Sequence, residues 1–182
     1  MEVVAQILSV IGMAFNIVSF QRKSQKGVII CQFFGSILFS LSYFFLGAFI
    51  GALLNAIVLV RTVVFYLKDK THATSPVWFV LFILSYFVCY LIVFTVFAKP
   101  LTPLNLIIEV LPVVGLVAHS YAYMKDTSAM YRKMSFICSP CWLVYNIVNF
   151  SIGGIICEVI SIASIIIGLF RHDIKKQPPP EN

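Results

Sequence analysis

Seven apolar runs, each close to the roughly 20 residues that carry a helix across a bilayer, follow one another with almost nothing between them. They are Val3 to Phe20, Val28 to Gly47, Ile50 to Leu67, Val77 to Phe97, Pro103 to Met124, Met134 to Phe150 and Ile152 to Phe170. A chain of 182 residues that is 60% hydrophobic and 11% charged has more apolar surface than one small soluble core can hide. The pattern predicts an all-α integral membrane protein with seven transmembrane helices, and it leaves almost no soluble mass for a separate catalytic domain.

A net charge of +6 would suit a nucleic-acid binder if it were gathered on one soluble face. Here the basic residues stand in short clusters between runs instead. Arg22, Lys23 and Lys26 follow the first run, Lys68 and Lys70 the third, Lys125, Arg132 and Lys133 the fifth, and Arg171, Lys175 and Lys176 the seventh. Of the opposite ends, only the one at Lys99 carries a base. Such an alternation orients helices by the positive-inside rule and predicts an N-out, C-in, multi-pass protein. The partners implied are a lipid bilayer and a small molecule, with no nucleic acid. Met1-Glu2 supplies no basic region ahead of the first apolar run, so that run is expected to stay as a membrane span rather than be cleaved. The five cysteines, odd in number and all inside runs, imply no disulfide framework.

The connectors divide the chain. Residues 1–70 hold three runs, residues 71–100 a single uncharged run entered through Ser75-Pro76 and left through Lys99-Pro100, residues 101–171 three more, and residues 172–182 a polar, proline-rich tail expected to be disordered. Leu46 to Phe49 turns the second run into the third, and Ser151 to Gly154, with its Gly153-Gly154 pair as the turn, joins the sixth to the seventh. One linker span between two triplets leaves both in the same orientation, so the triplets would be parallel repeats. A shift of 103 pairs Gly12 with Gly115, Gln6 with Glu109, Asn16 with His119, Gly51 with Gly154 and Asn55 with Glu158; a shift of 102 pairs Ser40 with Trp142 and Tyr43 with Tyr145.

At about 1.5 Å per residue, Gln6, Asn55, Glu109 and Glu158 fall one to two turns in from the outer ends of their spans. Asn16, Arg61 and His119 fall toward the cytoplasmic ends, with Ser40 and Trp142 between the two layers. Ionisable groups at such depth face one another or a wet cavity and are functional-site candidates; the plainer role is hydrogen-bonding glue between helices. Glu109 and Glu158 have no obvious cation at their depth, which is what a proton-coupled site would use; the alternative is that Arg61 reaches across to make a plain structural ion pair. Trp142 either stacks against a ligand ring or fills a core. Pro112 and Pro140 interrupt helical bonding and are either hinges or static kinks. The Cys138-x-x-Cys141 pair lacks the charged neighbours that make a reactive thiolate, and His119 lacks companions at metal spacing, so no metal or cofactor is implied.

The segments Leu46 to Ile57, Glu109-Val-Leu-Pro112-Val-Val-Gly115, Cys141-Trp142-Leu-Val-Tyr-Asn146 and Ser151-Ile-Gly-Gly154 with Glu158 resemble the YgjV-type bacterial inner-membrane proteins. Through them the chain is distantly similar to the PQ-loop, MtN3 and SWEET superfamily. The resemblance implies a bacterial inner-membrane location and a fold of two parallel three-helix bundles joined by a linker helix. It also implies a binding site between the bundles, with Asn55 and Glu158 in the places of the paired asparagines and Ser40 and Trp142 in the second pair. An acid stands where SWEET proteins carry the second Asn, no Pro-Gln ends the first run, and the second run has no proline. The expected function is a transporter of a small polar metabolite, a sugar or an amine, with Asn55, Glu158, Ser40, Trp142, Glu109 and Asn146 as substrate-binding residues. Asn16, Arg61 and His119 would form an inner polar layer and Pro112 and Pro140 the hinges. The alternatives are a receptor on the same architecture, or a structural membrane protein. An enzyme is not expected, since no activated nucleophile is present.

Overall fold

A computed structural model describes residues 1–20, 25–73, 75–125 and 128–169. Among them the chain is helical throughout: α1 (Glu2–Phe20), α2 (Gln25–Phe45), α3 (Phe49–Tyr66), the single turn α4 (Lys68–Thr71), α5 (Pro76–Thr95), α6 (Pro103–Lys125), α7 (Ser128–Val148) and α8 (Ile152–Leu169). Seven are 18 to 23 residues long. Their ends lie within two or three residues of the apolar runs, except that α7 begins six residues before Met134. Arg132 and Lys133 extend that helix without being apolar, since both are good helix formers. The tail from His172 to Asn182, and Arg22, Lys23, Arg171, Lys175 and Lys176, lie outside the described residues.

Among the described residues α3, α5 and α6 are long and apolar enough to cross a membrane, and α1, α2 and α8 hold shorter apolar stretches. α7 carries Ser135, Ser139 and Asn146 along its length. The molecule's exterior is apolar, with Ile7, Phe34, Leu84, Phe87, Ile107 and Ile167 all exposed, while Ser9, Ser42, Arg61, Glu109 and Asn146 are buried. That is the distribution expected when the solvent is lipid.

Neighbours in sequence are neighbours in space: α1 packs on α2, α2 on α3, α6 on α7 and α7 on α8. Contacts of α8 with α1 and of α3 with α6 close a ring of six helices, and α5 covers the seam between α3 and α6. Small residues permit close approach, the usual basis of helix association in lipid. A Cβ on Gly12 would press on the Gly35 carbonyl of α2, and one on Gly115 would press on Cys138 of α7; each member of the first pair lies 103 residues before its counterpart in the second.

The two tight turns show the same spacing. In the first, the Ala48 N–H donates to the Tyr43 carbonyl (2.9 Å) and the Gly47 N–H to that of Phe44 (3.1 Å). In the second, the Ser151 N–H donates to Asn146 (3.0 Å) and the Phe150 N–H to Ile147 (3.2 Å). Both are Schellman endings with one residue in the left-handed region, Gly47 at φ 71° and Phe150 at φ 52°. The expectation that Gly153-Gly154 forms the turn is therefore corrected. Both glycines lie in the first turn of α8, where a Cβ on Gly153 would overlap the Ser9 backbone and one on Gly154 the Asn146 carboxamide. They are needed for helix contact rather than for reversal.

Candidate functional site

A cavity of about 350 Å³ occupies the middle of the ring. Of the 23 residues that line it, 18 fall into nine pairs separated by 103 positions. α2 and α7 supply Gln32 with Ser135, Ser36 with Ser139, Phe39 with Trp142, and Tyr43 with Asn146. α3 and α8 supply Asn55 with Glu158, Val58 with Ser161, Arg61 with Ser164, and Thr62 with Ile165, while α1 and α6 supply Asn16 with His119. The spacing along α2 and α7 alternates four and three residues, which is one face of an α-helix. Each half of the ring thus turns an equivalent stripe inward.

The end of the cavity nearest the two tight turns is filled. Tyr43 Oη donates to Asn146 Oδ1 at 2.7 Å, joining α2 to α7. Both residues are buried, at 2% and 1% exposure. The Tyr43 ring packs 5.9 Å from Trp142 and 6.0 Å from Tyr145, centroid to centroid. The Gly51 N–H donates to Tyr145 Oη at 3.0 Å, joining α3 to α7. Outside this layer, Gln6 of α1 bridges the second turn, donating to the Phe150 carbonyl (2.6 Å) and accepting from the Ile152 N–H (3.0 Å). The cavity extends from there toward the end at which α1 leads into α2 and α6 into α7.

Asn55, Glu158, Trp142 and Asn146 all line this space, and so do Asn16, Arg61 and His119. Asn55 and Glu158 of the expected outer layer and Asn16, Arg61 and His119 of the inner one are therefore walls of one cavity, while Gln6 and Glu109 of the outer layer do not line it. Glu158 faces the Ser139 hydroxyl. Asn55 Nδ2 donates to the Gly51 carbonyl of its own helix at 2.9 Å, which leaves Oδ1 for the cavity. Arg61 Nη1 lies 3.3 Å from Ser120 Oγ and 3.4 Å from Tyr86 Oη, and its guanidinium sits 5.0 Å from the Tyr123 ring centroid. His119 Nε2 meets Ser135 Oγ at 2.9 Å, between α6 and α7. Asn146 Nδ2 is buried with no partner among the described residues.

Two expected site residues lie elsewhere. Ser40 Oγ donates to the Ala52 carbonyl at 2.8 Å and does not line the cavity. The spatial equivalent of Trp142 is Phe39, so the shift of 103 holds for these helices and the shift of 102 does not. One residue of register turns a side chain through about 100° at 3.6 residues per turn, enough to move Ser40 off the cavity face. Glu109 is fully buried and forms an ion pair with Lys99, whose flexible side chain reaches back over the N-terminal part of α6. The expectation of a carboxylate without a cation is corrected for Glu109. Pro112 is buried and Pro140 is exposed, and the described helices run unbroken through both. Neither proline lines the cavity.

Tyr43 and Tyr145 as closing groups, with Gln32, Ser36, Ser139 and Ser161 as walls, were not among the expected site residues. The interval of 103 carried along all of α2 and α7 would have found most of them. All five cysteines are free thiols, and Cys138 and Cys157 line the cavity.

A family model for bacterial inner membrane proteins, Imp-YgjV, matches residues 3–176. The chain belongs to this YgjV family. The match covers nearly the whole length, so the cavity and both repeated turns lie within the family's domain. No curated protein and no solved structure matches the chain.

Proposed function

We propose that this YgjV-family protein is an inner-membrane transporter of a small polar metabolite. In this reading the seven long helices span the bilayer, N-out and C-in as the basic clusters require. Residues 1–70 and 101–171 are parallel triplets in the layout that the SWEET resemblance implies, and α5 is the linker. The observation that carries the reading is the cavity: its walls come in equivalent pairs from the two triplets, and one end is held shut by the Tyr43–Asn146 bond between them. A polar space inside an apolar exterior is costly to maintain in lipid unless solute or water uses it. Matched walls on two similar bodies are what a rocking mechanism needs, because a small rotation of one against the other closes the far end and opens the near one. The reading assigns no chemical step and no cofactor.

The native thiols offer the test. In a variant keeping only Cys138 and Cys157, a membrane-impermeant thiol reagent is applied to right-side-out and to inverted vesicles. Alternating access predicts labelling from both faces and faster labelling from the slower face when Tyr43→Phe removes the latch. Labelling confined to one face in both proteins would contradict transport and favour a receptor.

A further inference from the structure

Two of the nine wall pairs set a charged residue against a neutral one: α3 presents Arg61 where α8 presents Ser164, and α3 presents the neutral Asn55 where α8 presents Glu158. The cavity wall that Glu158 shares offers groups of three kinds. Trp142 and Tyr43 give aromatic surface, their rings 5.9 Å apart. Asn55, one of whose two Nδ2 hydrogens bonds the Gly51 carbonyl, offers an acceptor oxygen. Asn146, 1% exposed, holds an Nδ2 with no partner among the described residues. Gly154 abuts the Asn146 carboxamide, and Glu158 follows one turn later on the same face of α8, about 5 to 6 Å along the axis. Arg61, the permanently charged residue on the wall, is six residues beyond Asn55 on α3, about 9 Å further along, and is engaged by Ser120, Tyr86 and Tyr123.

A carboxylate beside aromatic faces recognises an organic cation by charge-assisted hydrogen bonding and by cation–π attraction. A buried donor one turn away matches an oxygen on the same molecule. We infer that the cavity takes a small primary or secondary amine bearing a hydroxyl or carbonyl oxygen a few bonds from its nitrogen. The ammonium would sit on Glu158 and Asn55 and the oxygen on Asn146 Nδ2. The inference rests on the reading of this cavity as a solute site and adds the class of solute. A neutral sugar would leave the carboxylate without a cation, and an anion would meet it at close range.

Titration calorimetry on the purified protein in detergent tests this with ethanolamine and 3-aminopropanol, their neutral analogue ethylene glycol, and glycolate. Saturable binding of an amino alcohol is expected, with ethylene glycol and glycolate at least about tenfold weaker, and Glu158→Gln is expected to cost the amine about tenfold or more. Glu158→Asp, which keeps the charge, should retain the preference. Equal binding of ethylene glycol, an undiminished amine in Glu158→Gln, or no binding by either amine overturns the inference. Should Glu158→Gln not yield folded protein, the comparison of probes on the wild type decides alone. The two readings fail separately. Flux of neutral solutes without amine binding ends the amine inference and leaves transport standing, whereas amine binding without flux of any solute does the reverse.

Discussion

Removing the Tyr43 hydroxyl and removing the Asn146 carboxamide should have unequal costs, although both break the same 2.7 Å bond. In Tyr43→Phe the carboxamide stays buried and its Oδ1 loses the Tyr43 hydroxyl, while its Nδ2 already has no partner among the described residues. Leaving a buried polar group unmatched costs about 1 to 3 kcal/mol. Interhelical hydrogen bonds in membranes average about 0.6 kcal/mol and reach about 1.7. A cost of about 1 to 2 kcal/mol is therefore expected for Tyr43→Phe. Asn146→Leu removes the whole carboxamide, including the unmatched Nδ2, and the Tyr43 hydroxyl keeps Ser151 beside it. Its cost should stay below about 1 kcal/mol. The double variant should be no less stable than Asn146→Leu, within about 0.5 kcal/mol, since Tyr43→Phe then strands nothing. Unfolding in mixed micelles by added dodecyl sulfate, followed by helical circular dichroism, gives all four corners of the cycle. Additive single costs, or Asn146→Leu costlier than Tyr43→Phe by 1 kcal/mol or so, would refute the assignment of this pair as the bond that closes the cavity end.

Gly51→Ala should destabilise by about 1 to 3 kcal/mol despite the better helix propensity of Ala, because its Cβ would stand 2.9 Å from both the Tyr145 and Tyr43 rings; a rise in melting temperature would contradict that packing. Phe150→Gly should stabilise by about 0.5 to 1 kcal/mol, since a left-handed φ of 52° strains a residue with a side chain and Phe150 is largely exposed; a loss of stability would show that its ring is held. Lys99→Ala should cost about 3 kcal/mol or more by leaving Glu109 buried without its cation, while Lys99→Met with Glu109→Leu should recover most of the loss; equal stability of single and double variants in unfolding curves would contradict the pair. Ser40→Ala should leave ligand binding unchanged and Phe39→Ala should weaken it, and calorimetry showing the reverse would restore the shift of 102.

Hydrophobic run length and the polar breaks between runs made the helices legible in the sequence. The interval of 103 is equally a sequence property, and it reappears in structure: shifted by 103, the bounds of α2 and α3 fall on those of α7 and α8. Asn55, Glu158, Trp142 and Asn146 could be singled out because polar or aromatic groups at depth in an apolar helix need a reason to be there. What escaped depended on rotation and reach. Distinguishing Ser40 from Phe39 requires helix phase, which hydrophobic letters in lipid do not fix because both faces of a span are apolar. The Lys99–Glu109 pair required knowing that a side chain from a connector folds back over a helix end. The roles of Gly153 and Gly154 were hidden because glycine serves both turns and close contacts, and only the position of Ser9 tells which applies.

The most direct test of the cavity as a solute passage is flux through it. Proteoliposomes would be loaded in turn with labelled amino alcohols, polyols and sugars. The native thiols Cys138 and Cys157 on the cavity wall would be left free or capped with a bulky maleimide in a background where Cys31, Cys89 and Cys141 are Ser. The account predicts exchange of at least one solute class above protein-free liposomes, abolished by capping. Exchange no faster than in protein-free liposomes for every solute, or exchange that persists undiminished with the capped wall, would contradict it.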